Sequence, residues 1–254
     1  MTGETTTIPA ADTDTDAYVA RPDSPPSDSP LPGVLFLTDL IGLRPRIEAM
    51  ADRIASWGYV VLVPHLFHRY GSATEWAPTE DLLLPEARAA FFRSAMPRAR
   101  TLTPDAVRPD LVAYLDALHS LPGVAPGPVG VTGYCMGGRL ALNIAATRPD
   151  EVAAVGMFHT GGLVTDDPDS PHLHLVGIDA FVLAIHADKD RSLPAMAVAQ
   201  FEHALTAGGV AHSATVYPSA PHGYTMSDLE AYHHEATEHH FDELEALFGR
   251  TLSG

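Results

Sequence analysis

Cys135 is the only cysteine in a chain of 254 residues. A sole thiol cannot form an internal disulfide, which leaves it as a small buried hydrophobe or as a nucleophile. Its neighbours favour the nucleophile. Gly133-Tyr134-Cys135-Met136-Gly137-Gly138 follows a short apolar run, 129–132, and precedes a helical pattern, 139–147. This is the G-x-S-x-G turn between a strand and a helix, with sulfur in place of oxygen. A nucleophile held in so sharp a turn needs minimal side chains on both sides, and Gly133 and Gly137 supply them. At a helix N-terminus the thiol also meets unpaired N–H groups and the positive end of the dipole, which favour a thiolate. The N–H of Met136 is then the expected donor to an oxyanion formed on an attacked carbonyl.

Such a thiol needs a base, and the base needs an orienting acid. In a strand-turn-helix elbow the acid and then the histidine follow the nucleophile, on loops after later strands. His186-Ala187-Asp188-Lys189-Asp190 follows the apolar run 180–185, and Pro218-Ser219-Ala220-Pro221-His222-Gly223 follows the run 214–217. His222 is the expected base among 14 histidines. Asp188 and Asp190 are both placed to be the acid, and spacing alone does not choose between them. Tyr134, beside the thiol, and His159, just past the run 152–158, are candidate substrate contacts. Arg139 is assigned to packing or a structural ion pair, and His172 and His174, weighed for the rim of a pocket, are not counted among the site residues. His233, His234, His239 and His240, interleaved with Glu235, Glu238 and Asp242, have a composition that can hold zinc. They lie on a segment amphipathic around Tyr232, Phe241, Leu244 and Phe248, so a solvated helix face is expected there and no metal.

These residues require a scaffold that presents the ends of several strands together. Runs 34–37, 59–63, 129–132, 152–158, 180–185 and 214–217 are short and apolar, the pattern of strands buried on both faces. Between them, 46–57, 109–118, 139–147, 196–207 and 229–248 carry apolar residues at three- and four-residue steps, the pattern of helices. Residues 5–9 and 17–20 read as two short edge strands, and the Pro-, Ser- and Asp-rich segment 21–32 as a surface loop. The alternation predicts an α/β fold, a mostly parallel central sheet with helices on both faces, in one domain spanning 1–254. The stretch 65–103 fits this pattern less well and is expected to be an excursion with short helices.

With 32 acidic against 15 basic side chains the formal net charge is −17. No basic stripe is present to neutralise phosphates, so nucleic acid is not an expected partner, nor is an anionic membrane surface. No apolar run reaches the ~18 residues of a membrane span. The first ten residues lack the basic and apolar regions of a signal peptide, so a cytoplasmic location is expected.

The chain as a whole resembles the dienelactone hydrolase family. The cysteine elbow at 133–138 is similar to that family's elbow. Gly58-Tyr59-Val60-Val61-Leu62-Val63-Pro64 is similar to the strand after its first helix, Asp188-Lys189-Asp190-Arg191-Ser192-Leu193-Pro194 to its acid loop, and Ala220-Pro221-His222-Gly223-Tyr224 to its histidine loop. The resemblance implies an α/β-hydrolase fold and hydrolysis of a lactone or small carboxylic ester through a Cys135-His222-Asp190 triad, with Asp190 as the acid and no cofactor. It also implies that Asp39, where the family carries Glu, lies near the thiol and helps to activate it, and that the N–H of Leu40 is a second oxyanion donor. The residues alone leave Asp39 the plainer role of a turn carboxylate. Where the family places an arginine four residues past the histidine, this chain has Met226. Loss of that bidentate carboxylate contact favours a more apolar substrate, with Met226 lining its pocket. Small molecules are the expected partners, and a monomer or small homo-oligomer the expected state. Two other readings share these residues: an acyltransferase or thioesterase on the same frame, and a binding protein that keeps the fold without catalysis.

Overall fold

The computed structural model of the chain describes residues 3–23 and 29–252. Part of the loop expected at 21–32 therefore lies outside the described residues. The chain forms two compact units: Met1–Pro126 with Asp228–Glu230, and Gly127–Ser227 with Ala231–Gly254.

In the first unit β1 (Glu4–Pro9), β2 (Asp14–Ala20), β3 (Gly33–Leu37) and β4 (Val60–Pro64) lie in the order β1-β2-β4-β3. β3 and β4 are parallel, while β1 and β2 add antiparallel at the edge. β3 and β4 are buried along their whole length, as their unbroken apolar runs require. α1 (Pro45–Ala55) starts with Pro in its first turn and turns Ile47, Met50, Ala51 and Ile54 inward. The expected excursion holds a single helical turn, α2 (Ala73–Trp76), closed by a Ser72–Glu75 capping box, and a 15-residue helix, α3 (Pro85–Ala99), longer than expected.

α4 (Pro104–Ser120) begins five residues before the predicted start at 109. The Thr103 hydroxyl accepts the Ala106 N–H at 3.4 Å, and Pro104 occupies the first turn, where a missing N–H costs nothing. Pro109, taken from the sequence as the helix start, lies inside it.

The second unit holds β5 (Val129–Tyr134), β6 (Val152–Phe158), β7 (Phe181–Lys189) and β8 (His212–Pro221), all parallel and in sequential order. α5 (Met136–Thr147) packs on β5 and β6, α6 (Ala195–Ala207) on β8, and α7 (His234–Thr251) on β6 and β7. α7 begins five residues after the predicted start at 229. His233 is its extended cap residue, and its Nδ1 accepts the Ala236 N–H at 3.2 Å. Among the described residues no helix is long and apolar enough to cross a membrane.

Candidate active site

The parallel register of the second unit aligns its strand ends. Tyr134 pairs with Phe158, Phe158 with Ile185, and Ile185 with Thr215. Residues just beyond these ends gather at one edge of the strands, where parallel sheets carry their sites. Cys135 follows β5, His159 follows β6, Asp190 follows β7 and His222 follows β8.

Cys135 occupies a backbone conformation costly for any residue with a side chain, φ 54° and ψ −119°. Two hydrogen bonds hold it there: its N–H donates to the Phe158 carbonyl at 3.1 Å, and its own carbonyl accepts the Gly138 N–H at 3.3 Å. The glycines make room for the turn. A Cβ on Gly133 would stand 2.2 Å from the Gly137 carbonyl oxygen, and one on Gly138 would stand 2.0 Å from the Thr160 hydroxyl. Met136 opens α5, so its N–H has no acceptor within the helix and faces the turn.

His222 joins sulfur to carboxylate. Its Nε2 lies 3.1 Å from Cys135 Sγ and its Nδ1 lies 2.6 Å from Asp190 Oδ2. The other oxygen of Asp190 accepts the Ser192 N–H at 2.8 Å and the Ser192 hydroxyl at 2.6 Å. The carboxylate is thereby fixed with one oxygen aimed at the ring. Asp188, the alternative acid, is an exposed residue of β7. Burial penalises the His222 cation, but the charge of Cys135 and hydrogen bonds to Asp190 and Cys135 outweigh it and raise the pKa from 6.5 to about 10. Burial would raise the Asp190 pKa, yet the bond to His222, its charge and the two Ser192 donors leave it below the ordinary carboxylate value.

The three candidate substrate contacts are placed otherwise than expected. Tyr134, His159 and Met226 are each at most 1 % exposed, so they present almost no surface to a ligand. Tyr134 turns inward, and its hydroxyl lies 3.2 Å from Nε2 of buried His240. His159, with φ 39°, packs its ring edge-on to His222 and hydrogen-bonds the Thr225 hydroxyl at 2.8 Å. It backs the His222 ring from within. An apolar strand followed by His looks the same in sequence whether the ring turns in or out, and the positive φ that turns this one in leaves no mark on residue type.

Asp39 and Leu40 belong to the first unit, just past β3. Asp39 makes the bonds of a turn carboxylate. Its Oδ1 accepts the N–H groups of Ile41 and Gly42 at 3.0 and 3.2 Å, and Arg44 bonds both of its oxygens, at 2.8 and 3.0 Å. Both oxygens accept hydrogen bonds within the first unit. Leu40 is buried, and its carbonyl accepts the Trp76 indole N–H at 3.3 Å.

Sequence reasoning missed Ser192, Thr225 and Arg44. Ser192 was findable, because Asp-x-Ser is a local turn pattern in which a carboxylate accepts from two residues on. Arg44 and Thr225 carried no such signal. His172 and His174 are tied to their own loop, through Ser170 Oγ at 2.7 Å and the Pro168 carbonyl at 2.9 Å. The C-terminal histidines do not converge: His233 caps α7, His239 stacks on Tyr217, and His240, expected on a solvated face, is buried. Arg139 is exposed and makes no hydrogen bond or ion pair among the described residues, contrary to the structural ion pair considered for it.

Residues 15–252 match the model of the "Dienelactone hydrolase family". A relative from Yersinia pestis named "Putative carboxymethylenebutenolidase" is 28 % identical over 237 residues, 92 % of this chain and 82 % of that protein. One of the same name from Salmonella typhi is 30 % identical, over 90 % of this chain and 80 % of its own. The crystal structure of a "Putative Dienelactone Hydrolase" from Klebsiella pneumoniae superposes with a TM-score of 0.82 at 26 % identity, covering 98 % of each chain. With a family match over nearly its whole length and that fold, the chain belongs to the dienelactone hydrolase family, lactone- and ester-cleaving enzymes of the α/β-hydrolase fold.

Proposed function

We propose that the protein hydrolyses a lactone or small carboxylic ester, with Cys135 as nucleophile, His222 as acid and base, and Asp190 as its orienting acid. The observation that carries this reading is the unbroken line from sulfur through the imidazole to the carboxylate, with contacts of 3.1 and 2.6 Å.

In this reaction the Cys135 sulfur adds to the ester carbonyl, whose oxygen takes up the negative charge and receives the Met136 N–H. The tetrahedral intermediate collapses to a thioester. The C–O bond breaks, and the leaving alkoxide takes the proton from His222. In a lactone the leaving alkoxide stays attached as the far end of the acyl chain. Neutral His222 then deprotonates a water, the resulting hydroxide adds to the thioester, and the thiolate departs with the proton again on the imidazole. Asp190 keeps Nδ1 engaged so that Nε2 faces the sulfur in both halves. With Met226 where the family places an arginine, the bidentate contact to a substrate carboxylate is lost, which favours substrates without one.

The test is the initial rate of hydrolysis of short p-nitrophenyl esters and of dienelactone by the natural chain and by Cys135→Ala. Turnover by the natural chain that drops to background in the variant supports the reading. A Cys135→Ala chain as active as the natural one would remove Cys135 as the nucleophile, and inertness of both would favour a binding protein on this fold.

A further inference from the structure

The first unit contains a cluster of potential ligands that takes no part in the triad. Asp12, on the turn between β1 and β2, His68, just past β4, and Asp110, on α4, each offer one ligand atom, all within 4.8 Å of one another. His68 Nε2 lies 3.9 Å from Asp12 Oδ1 and 3.8 Å from Asp110 Oδ1. The His68 side chain is 3 % exposed, yet Nε2 has no hydrogen-bond partner among the described residues. A buried ring nitrogen without a partner is costly and calls for a ligand.

The rest of the cluster is arranged as metal ligands are. His68 Nδ1 lies 3.2 Å from the Tyr114 hydroxyl, which fixes the ring and, when Nδ1 donates, leaves the Nε2 lone pair facing the two carboxylates. Asp110 Oδ1 is oriented by the Ala11 N–H at 3.1 Å. Around zinc, bond lengths of about 2.1 Å separate neighbouring ligand atoms by about 3.4 Å, so the two edges from His68 Nε2, at 3.9 and 3.8 Å, need to shorten by about half an ångström. Asp12 is 62 % exposed, which opens a path for the ion and a position for water.

Arg69 already touches both carboxylates. It bonds Asp110 Oδ2 closely and reaches Asp12 Oδ1 at 3.0 Å and Asp110 Oδ1 at 3.2 Å. A guanidinium has donors only, so it neutralises the carboxylates but cannot satisfy a ring nitrogen that donates, and it makes no bond to one that accepts. Its side chain is 37 % exposed and has room to turn outward. We propose that Asp12, His68 and Asp110 form a structural site for a divalent transition-metal ion such as zinc, for which Arg69 is the internal competitor. One imidazole and two carboxylates suit zinc and its neighbours better than calcium or magnesium. The ion would tie the β1–β2 turn to α4 and to the segment after β4.

The test is titration of Zn2+ into the full chain carrying Cys135→Ala, which removes the thiol as a rival ligand, with binding read by calorimetry and unfolding by thermal midpoint. The same is done with His68→Gln, with the exposed Asp12→Asn, which is the safer variant for folding, and with Arg69→Ala. The expected result is a tight equivalent that weakens at least about tenfold in His68→Gln and Asp12→Asn, and that strengthens in Arg69→Ala. Zn2+ should raise the midpoint of the parent and not that of His68→Gln. Binding in either ligand variant equal to the parent's, or weaker binding in Arg69→Ala, overturns the proposal.

Discussion

The ring of His159 stands edge-on to that of His222, with centroids 5.3 Å apart and planes at 66°. Burial, the charge of His222 and that of His240 hold His159 well below the ordinary histidine pKa. Of the two adjacent rings, His222 therefore carries the proton, and neutral His159 serves as a wall that Thr225 anchors at 2.8 Å. Replacing His159 by Asn removes the wall without touching substrate. The expected outcome is a fall in kcat of about tenfold to a hundredfold, with KM little changed, because a misplaced base harms the chemical step and not binding. Steady-state kinetics across pH would check it. An unchanged kcat would mean that Asp190 alone positions His222.

Asp190 and Asp188 are two residues apart, and only Asp190 bonds His222. Asp190→Asn keeps the size and hydrogen-bonding reach of the side chain but loses the charge that stabilises the imidazolium. It is expected to lower kcat between about a hundredfold and ten-thousandfold, by analogy with triads in which Asn favours the wrong tautomer. Asp188→Asn, on the exposed side of β7, should remain within about twofold of the natural chain, as surface substitutions usually do. Parallel measurement of both variants separates the assignments, and comparable losses in the two would refute the choice of Asp190.

The contrast between these two carboxylates shows where the sequence is legible. The fully buried strands β3 and β4, and the elbow before α5, could be read because their demands fall on residue type: unbroken apolar runs and obligatory glycines. The chain order of Cys135, Asp190 and His222, on which the proposed mechanism rests, was legible from the elbow and the two loops after later strands. The choice between Asp188 and Asp190 depends on where β7 ends, and that strand runs four residues beyond its apolar stretch to Lys189. The starts of α4 and α7 were misjudged because Pro109 and Leu229 look like natural boundaries, while the caps in use are Thr103 and His233. The inward turn of His159 and the Arg44–Asp39 pairing are tertiary facts with no local signal.

The raised pKa of His222 carries a pH dependence with a definite sign. Burial lowers it, the charge of Cys135 is the largest influence raising it, and the balance stands at about 10 against 6.5 for a free histidine. A group whose folded pKa is raised contributes stability that is fully present below 6.5 and is lost as pH rises through about 10. Cys135→Ala removes the largest lifting influence, so the His222 pKa should fall from about 10 toward 6.5, and the alkaline loss of stability, which starts near 6.5 in both chains, should be smaller and complete at lower pH. NMR titration of the His222 ring in both chains reads the first effect, and urea denaturation between neutral pH and pH 10 reads the second. An identical His222 titration in the two chains would show that sulfur does not hold the imidazolium.

Arg44 provides a test of buried charge in the first unit. It gives two donors to Asp39 and, through Nε, one to Asp228 at 2.5 Å, and its own side chain is 4 % exposed against 34 % for that of Asp228. Burial opposes the guanidinium charge, but the two carboxylates more than restore it, so its pKa lies above the ordinary arginine value. Arg44→Met would leave the Asp39 carboxylate buried with only two backbone donors, and is expected to cost about 3–5 kcal/mol in unfolding free energy. Asp228→Asn, at the half-open end of the same bridge, should cost no more than about 1 kcal/mol. In the double variant Arg44→Met/Asp39→Asn the uncompensated charge is gone, so much of the loss should return. Urea titration of Arg44→Met, Asp39→Asn and the double variant forms the cycle, with Asp228→Asn measured beside it. If the double variant is as unstable as the sum of its single changes, the cost belongs to lost packing of the Arg44 stem, and Asp39 was never strained by its removal.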